Sequence, residues 1–321
     1  MGAGFFGGLV ARRLRDVGLA PLVATRRRDA DLRLDVESES SLAETLHEGD
    51  VIVDTAGPFA SRTTRLARAA IERGCDVIDL SESLAWSEAI LALGERAASA
   101  GVAVYPACSA VAAVTGACVR ASGIAAPQTV DQFLAPASAE TASPATVRAF
   151  MSSVGRRILT YRDGHLVDER GFVASRAFPG GGRRGGLVES AAAVLVPQAW
   201  PSVRRVEFWV DPNAALARAG LALAARVAPI AAIVRALAPR IGGGPLARHD
   251  GVYAVAIDDR RAFQFSAARG SYGIAIEPAV IVAEELMRGR RDRGVILPDA
   301  MVDPDRLFAR LRSLGITVTA P

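Results

Sequence analysis

The feature that most constrains this chain is a glycine cluster at its start, MGAGFFGG over residues 1–8. Its glycines fit the spacing G-x-G-x-x-G, which forms the turn between a strand and a helix in dinucleotide-binding folds. There the first glycine permits a tight bend, the second lets the backbone approach a pyrophosphate, and the third lets the helix pack on the sheet. A glycine-rich disordered start is the alternative. The residues we expect to contact the phosphates are Gly2, Ala3, Gly4, Phe5, Phe6 and Gly7.

A helix is predicted directly after these glycines, because Leu9, Val10, Leu14 and Val17 have helical spacing. Its free N–H groups and its dipole would face the phosphates. In this kind of fold a strand precedes the glycine turn, whereas the sequence has no residues ahead of Met1. We therefore hypothesise a misplaced start codon or a truncated chain, which would leave the neighbouring strands without ladder partners.

The amino-acid composition excludes some of the functions that a chain of this kind could have. The chain has 321 residues, enough for two domains, and half of them are hydrophobic while only 6% are aromatic. It contains no lysine, so its net charge of +4 comes from arginine and a lysine Schiff base or lysine general base is excluded. The arginines are distributed along predicted helices without a dense basic block, which argues against nucleic-acid binding.

The three cysteines, Cys75, Cys108 and Cys118, form no C-x-x-C pair and no zinc-like spacing. We therefore predict no metal site and a reduced, cytoplasmic setting. No signal-peptide pattern is seen.

The most apolar stretch runs over residues 214–238 and is interrupted by Arg218, Arg226, Pro229 and Arg235. An arginine in mid-membrane costs about 2.5–3.5 kcal/mol, so we predict no membrane span. A buried helical hairpin is the favoured interpretation, and peripheral contact with lipid or a partner is the alternative.

Residues 1–121 alternate short apolar strands with amphipathic helices, the pattern of a parallel, doubly wound sheet in an α/β protein. The strands are predicted over 21–25, 33–36, 51–55, 76–80 and 102–105. From residue 122 onward the pattern changes to β-type runs around 130–134, 164–168, 203–210 and 252–257, a helix over 143–154, and glycine-rich loops at 179–186 and 242–245. This predicts a second, α+β domain with a mixed sheet over residues 122–275, for substrate binding or dimerisation. Final helices are predicted over 276–288 and 303–314.

The residues after the second strand indicate which dinucleotide binds. An acidic residue there accepts from the ribose 2′-OH and selects NAD, whereas arginine accommodates the 2′-phosphate of NADP. The chain reads T-R-R-R at 25–28, with no acid before Asp29. We therefore predict NADP, with NAD as the alternative, unless these arginines only begin a solvated loop. The predicted contacts are Thr25, Arg26 and Arg27 at the phosphate and Asp35 and Val36 near the adenine.

Two later loops should reach the same crevice, because ligands of open α/β sheets bind at the carboxyl ends of the strands. One follows the strand at 51–55, and the other follows the strand at 76–80, where Asp79, Ser81 and Glu82 stand. An ordinary strand-to-helix turn is the alternative for the first loop. The predicted cofactor contacts in these loops are Ala56, Gly57, Pro58, Phe59 and Ser81.

Catalytic candidates are few. Hydride transfer needs a group that donates or accepts a proton beside the reacting atoms. The candidates are Tyr105, Cys108 and Ser109, at and after the end of the strand at 102–105, and His249, the best placed of three histidines. For Cys108 the alternative is that it is a small, buried apolar residue.

Several segments together resemble the saccharopine dehydrogenase-like NAD(P)-binding oxidoreductases. They are GAGFFG at 2–7, VATRR at 23–27, VDTAGPF at 53–59, CDVIDLSE at 75–82, GVAVYPACS at 101–109 and RGVILP at 293–298. The resemblance covers nearly the whole chain and is most specific over residues 2–115.

The resemblance implies a Rossmann domain over residues 1–121, whose first strand is apparently missing, and a second domain with a mixed sheet. It also implies C-terminal helices, residues 276–321, that return to pack on the Rossmann domain. The expected activity is NADP-dependent hydride transfer to or from a small or lipid-like substrate. A non-catalytic NADP-binding sensor, or a membrane-associated interaction protein, is the alternative, and a homodimer stays open.

Overall fold

A computed structural model describes residues 4–27, 30–137, 151–212, 215–237, 250–268 and 271–321. The predictions for Gly2, Ala3, His249 and the loop at 242–245 lie outside these residues, as does most of the predicted helix at 143–154. Within them the helices are α1 (Phe5–Asp16), α2 (Glu39–Thr45), α3 (Arg65–Glu72), α4 (Leu84–Leu91), α5 (Gly94–Ala100), α6 (Thr115–Ala121), α7 (Ala192–Ala199), α8 (Ala215–Arg226), α9 (Ala228–Leu237), α10 (Tyr272–Met287) and α11 (Pro304–Ser313).

The strands of the described residues are mostly short. They are β1 (Ala24–Thr25), β2 (Leu32–Arg33), β3 (Val51–Asp54), β4 (Asp76–Asp79), β5 (Ala103–Tyr105), β6 (Thr129–Ala135), β7 (Arg157–Arg162), β8 (His165–Arg170), β9 (Ser175–Ala177), β10 (Arg184–Val188), β11 (Arg205–Val210), β12 (Gly251–Ile257), β13 (Arg261–Ala267), β14 (Gly294–Val295) and β15 (Thr317–Thr319).

A parallel sheet with the strand order β14-β5-β4-β3 forms the centre of the N-terminal region. Successive residues point to opposite faces, so Ile52 and Val77 pack in one apolar cluster and Val53 and Ile78 in another. Both faces are buried, as expected for parallel strands covered by helices. The α/β fold class predicted from the sequence is confirmed.

Strands β1 and β2 form a separate parallel pair rather than continuing this sheet. Within the described residues, β1 pairs only with β2, and β3 pairs only with β4. A cavity of about 330 Å³ lies between β1 and β3 and is lined by residues such as Val10, Leu14 and Met287. The two strand edges that the sequence predicts to lack partners therefore face one apolar cavity.

The second sheet is mixed and has nine strands among the described residues. Its main path runs β15-β13-β12-β6-β11-β10-β9, and β7 and β8 attach beside β11. Strands β6 and β11 are parallel, and the other pairs are antiparallel. Phe133 and Trp209 point to one face of this sheet, whereas Val206 and Phe208 point to the other. The predicted mixed sheet of the second domain is confirmed.

The C-terminal helices connect the two sheets. Helix α10 packs against α1, β3 and β4, and Nε of Arg13 in α1 lies 2.9 Å from the buried Glu277 carboxylate of α10. Strand β14 joins the parallel sheet and β15 joins the mixed sheet. This packing supports the predicted return of the C-terminal segment. The domain boundaries at 121 and 275 stay predictions, and α10 begins at Tyr272, slightly before the second of them.

Some predicted elements differ in length from the observed ones. From the residues between the strands at 76–80 and 102–105 the sequence predicts one helix, over 86–99; the structure has two, α4 and α5, because the chain turns at Leu93 and a new helix starts at Gly94. The predicted strands at 21–25 and 33–36 shorten to the two-residue β1 and β2, which have ladder partners on one side only. Side-chain caps at Ser38, Ser83 and Asp303 fix the starts of α2, α4 and α11.

Candidate dinucleotide and catalytic site

Helix α1 begins immediately after Gly4, as the glycine motif predicts. Gly4 has φ −74°, which any residue adopts, and a Cβ added to it would meet no atom within 4 Å. Neither backbone conformation nor packing within the described residues therefore requires glycine here, whereas close approach of a pyrophosphate would. The ring of Phe5 contacts that of Tyr272, the first residue of α10, at a centroid distance of 6.2 Å, so the start of α10 lies beside this turn.

The arginines that follow β1 are solvent-exposed. Leu34 N donates to Thr25 O at 3.0 Å, which fixes the end of β1 beside β2, and the chain then continues into Arg26 and Arg27. Asp35, after β2, accepts from the backbone N–H of Glu37 at 3.0 Å. The structure therefore brings Thr25, Arg26 and Arg27 to the end of β1, but their contact with a 2′-phosphate, like the adenine contact of Asp35 and Val36, stays a prediction.

The loop after β3 is organised by an ion pair between Asp54 and Arg62. Asp54 is buried, and its carboxylate accepts from Ala56 N at 2.9 Å and lies 3.0 Å from Arg62 Nη2. The Arg62 guanidinium also lies over two aromatic rings, 5.2 Å from the centroid of Phe59 and 5.1 Å from that of Trp86. These contacts fix the segment 56–59, in which Gly57 and Pro58 are exposed to solvent.

Asp79, the last residue of β4, links the ends of two neighbouring strands. Its Oδ1 accepts from Ser81 N at 2.9 Å and from Ala107 N at 2.8 Å, and its Oδ2 accepts from Trp86 Nε1 at 3.1 Å. Burial raises the pKa of Asp79 to about 6, although these three hydrogen bonds favour the ionised form. Because Ala107 follows β5, this carboxylate fixes the turn 105–109 against the end of β4.

Glu82 stands at the same edge of the sheet, where the first domain meets the second. Its carbonyl oxygen accepts from Ala191 N at 3.1 Å, next to the start of α7. Burial raises the pKa of its carboxyl to about 7. A carboxyl with a pKa near 7 can both donate and accept a proton under ordinary conditions, which makes Glu82 a candidate acid–base group. The sequence places Glu82 at the strand end but does not indicate this pKa.

Two of the predicted catalytic residues are fully buried. The Tyr105 hydroxyl donates to Asp292 at 2.6 Å, and burial together with this bond raises the pKa of Tyr105 above its usual range. Burial also raises the pKa of the Cys108 thiol well above its usual range. Both groups keep their protons at neutral pH, which weighs against nucleophilic chemistry at Cys108 and favours its apolar alternative.

Ser109 is buried and directly precedes, in the chain, a buried polar cluster at the junction of the two sheets. Its Oγ is buried and has no hydrogen-bond partner among the described residues. One turn of π-helix, Ala110–Val114, follows it, a form that is frequent at functional sites. Tyr253 of β12 donates to Ala110 O at 2.9 Å, and its hydroxyl lies 2.8 Å from Thr115 Oγ1.

Gln132 of β6 completes this cluster. Its Nε2 donates to Val111 O at 2.8 Å and to Thr115 Oγ1 at 3.0 Å, while its Oε1 has no partner within the described chain. A buried polar atom without a partner is costly. The Ser109 hydroxyl and the Gln132 carbonyl are thus two buried polar groups whose hydrogen-bonding capacity is unused within the described chain. Sequence reasoning identified Ser109 but not Thr115, Gln132 or Tyr253, because the last two come from strands of the other sheet.

The structure thus brings the carboxyl ends of β3, β4 and β5 side by side, with the predicted segments 56–59, 81 and 105–109 at one edge. Among the residues described, no group of three or more His, Cys, Asp or Glu side chains has a metal-binding arrangement. Within the same residues, no helix is long and apolar enough to cross a membrane.

A helix that begins after Gly4, a parallel sheet covered by helices and a domain with a mixed sheet are the arrangement of NAD(P)-dependent oxidoreductases with a Rossmann domain. Residues 1–105 match the family model of the saccharopine dehydrogenase NADP binding domain. The family resemblance predicted from the sequence is thereby confirmed, together with an NAD(P) cofactor. A search of curated proteins gives no significant match.

A solved structure shares the fold of this chain. Apo saccharopine dehydrogenase (L-Glu forming) from Saccharomyces cerevisiae superimposes with a TM-score of 0.60 at 13% identity, covering 100% of this chain and 98% of that one. The WlbA (WbpB) dehydrogenase from Thermus thermophilus, in complex with NAD and alpha-ketoglutarate, gives a TM-score of 0.42 at 14% identity, covering 99% of this chain and 94% of that one. At such identities the first likeness concerns the fold alone, and the second carries no argument.

Proposed function

We propose that this chain is an NADP-dependent oxidoreductase of the saccharopine dehydrogenase-like type that transfers a hydride to or from a small or lipid-like substrate. The observation that carries this proposal is the junction at the carboxyl ends of β4 and β5. There Asp79 fixes the turn that presents Ser109, and Glu82 stands beside the second domain. This is the edge at which open α/β sheets bind their ligands.

The residues present fit a dinucleotide. Gly4 leaves open space at the start of α1, whose first N–H groups have no partner inside the helix, and an anion is favoured at that end. Arg26 and Arg27 follow β1 as exposed cations, which suit the additional phosphate of NADP better than the ribose hydroxyl of NAD. Gly57 is exposed at the end of β3, and its added Cβ would contact only Phe59 N at 4.0 Å.

When bound, the nicotinamide supplies or accepts the hydride. The chain's own contribution is to position the substrate and to move one proton. The free Ser109 hydroxyl and Gln132 carbonyl would orient a polar substrate group, and the Glu82 carboxyl would donate or accept the proton. The buried surroundings of Ser109, Thr115 and Tyr253 would exclude water from this point.

The test has two stages. Fluorescence titration with NADPH and NADH measures binding. A screen of imines, ketones and enoyl thioesters then measures the oxidation of NADPH through the loss of its absorbance. We expect tighter binding of NADPH and oxidation with at least one substrate class. Absence of NADPH binding would overturn the proposal.

A non-catalytic NADP-binding sensor is the second candidate. The specific observation in its favour is that Tyr105 and Cys108 are buried with raised pKa values, so few predicted acid–base groups are accessible. NADPH binding without oxidation in any arm of the screen would favour this candidate over the enzyme.

A further inference from the structure

The outer surface of the helical hairpin formed by α8 and α9 is almost entirely apolar. Leu223 is 64% exposed, Ile233 is 58% exposed and Ile230 is 44% exposed. Over residues 218–237, Arg226 is the single exposed residue that is neither apolar nor glycine. Isolated exposed apolar residues are ordinary, but a continuous apolar surface on a helical pair marks an interaction site. We call this surface, residues Leu223, Val227, Ile230, Ile233 and Leu237, the hairpin face.

The inner side of the hairpin is fixed to the protein, so the hairpin face has a definite orientation. Ala225 and Ala231 are fully buried, and a Cβ added at Gly155 would lie 2.7 Å from Ala231 Cβ. Arg235 donates to Val154 O, and Arg218 Nη1 lies 3.0 Å from Asp211 Oδ1. The helices therefore cannot turn the hairpin face inward without losing these contacts.

The charged residues of the hairpin segment have one sign, and of those in the described part Arg218 and Arg235 make the inner contacts whereas Arg226 is exposed. From residue 212 to residue 249 the sequence has no Asp or Glu, and every charged residue there is arginine. The exposed Arg226 stands between Leu223 and Val227 on the hairpin face itself. An apolar helical surface that carries an exposed arginine and no acidic residue favours an anionic membrane surface, where the apolar side chains enter the headgroup boundary.

A second copy of this chain fits the hairpin face less well than an anionic membrane surface does. A two-fold contact would place the same face on both partners, so that the two Arg226 side chains would meet surfaces with no acidic partner for them. The hairpin region 212–249 supplies no carboxylate to pair with them. A spanning role does not fit either, because no described helix is long and apolar enough to cross a bilayer.

We propose that the hairpin face docks this protein peripherally onto an anionic lipid bilayer. The apolar residues enter the headgroup region, and the exposed Arg226 pairs with a lipid phosphate. The proposal does not rest on the oxidoreductase function, because the hairpin face shares no residue with the dinucleotide site. Docking at a bilayer would give the site access to lipid-like substrates.

The experiment is vesicle flotation of the full chain with phosphatidylcholine vesicles and with phosphatidylglycerol-rich vesicles. We expect binding to the anionic vesicles, and a fall of about tenfold or more in the variant with both Leu223→Asp and Ile233→Asp, because two charges replace apolar contacts. Leu22→Asp is the matched control, since Leu22 is also 64% exposed but lies far from the hairpin in sequence. The control should float as the wild type does.

Arg226→Glu tests the electrostatic part and should lower binding to anionic vesicles while leaving thermal unfolding unchanged. Equal wild-type binding to both vesicle types, or no loss in the double variant, would overturn the proposal. So would light scattering that finds a dimer which the double variant converts to monomer without any vesicle binding. NADPH titration of the double variant should match the wild type, which separates this test from that of the proposed function.

Discussion

The indole Nε1 of Trp86 lies 3.1 Å from Oδ2 of Asp79 and donates a hydrogen bond to it. The same indole ring lies under the guanidinium of Arg62, which holds the Asp54 carboxylate. One aromatic side chain from α4 thus connects the carboxylates that end β3 and β4. The two strand-end loops of the candidate site are therefore linked through one hydrogen bond, one cation–π contact and one ion pair, and perturbing Asp79 should affect both.

Asp79 should make the protein less stable as the pH rises. Its pKa is raised from 3.8 to about 6 by burial, so between these values the folded state binds the proton that the unfolded state has lost. The free energy of unfolding should therefore fall as pH rises from about 4 to 7, by an amount on the order of 2 kcal/mol. Urea unfolding at a series of pH values measures this slope.

Asp79→Asn is the comparison for that slope. Asparagine does not titrate, so the part of the pH dependence due to Asp79 should disappear, although the variant is less stable overall because its amide cannot satisfy all three donors. An identical slope in the variant and in the wild type would show that Asp79 is ionised in both states.

Glu82→Gln should abolish most turnover while leaving NADPH binding intact. The carboxyl would be the group that moves a proton, and its removal typically costs a factor of about 10² to 10⁴ in rate. The wild-type pH–rate profile should show an apparent pKa of about 7, which the variant loses. Glu88→Gln, at an exposed position of the neighbouring α4, is the control and should retain the wild-type rate.

Gly4→Val should weaken NADPH binding by about tenfold or more without destabilising the fold, because an added side chain meets no described protein atom but occupies the space of the pyrophosphate. Fluorescence titration and thermal unfolding measure the two effects. Gly8→Ala provides the control: it adds a Cβ in open space within α1 and should stabilise the helix by about 0.5–1 kcal/mol. Strong destabilisation by Gly4→Val would point to a packing role instead.

Arg26→Gln combined with Arg27→Gln should reduce the preference for NADPH over NADH. The lost charge-assisted contacts to the 2′-phosphate are each worth about 1.5–3 kcal/mol, so NADPH affinity should fall by about tenfold or more while NADH affinity changes little. Arg68→Gln, an exposed arginine of α3, controls for net charge. An equal loss of affinity for NADPH and for NADH would show that these arginines do not distinguish the two nucleotides.

Arg13→Met should destabilise the protein by about 3 kcal/mol, because it leaves the buried Glu277 carboxylate without its nearest partner. Arg310 Nε, 3.5 Å from Glu277, compensates in part. Adding Glu277→Leu should recover most of the loss, since a matched apolar pair avoids the buried charge. Urea unfolding of the single and double variants measures this coupling, and additive effects would show that α1 and α10 are not linked through this pair.

The local elements of this protein could be predicted from its sequence. The glycine spacing and the periodicity after it predict α1, and the apolar runs at 51–55 and 76–80 predict β3 and β4, because these features depend on neighbouring residues. The same pattern placed the segments 56–59, 81 and 105–109 at one sheet edge, since parallel strands end together. The family resemblance needed only these short motifs.

Tertiary structure decided the chemistry of the site. Burial sets the pKa values of Asp79, Glu82 and Cys108, and burial depends on which helices and strands pack around each side chain. Gln132 and Tyr253 reach Thr115 from strands of the other sheet, more than a dozen residues away in each case, so no local pattern indicates them. The orientation of the hairpin face was also decided by tertiary packing. The sequence shows that residues 214–238 are apolar, but only the packing of Ala225 and Ala231 against Gly155 determines which side of the two helices meets the solvent.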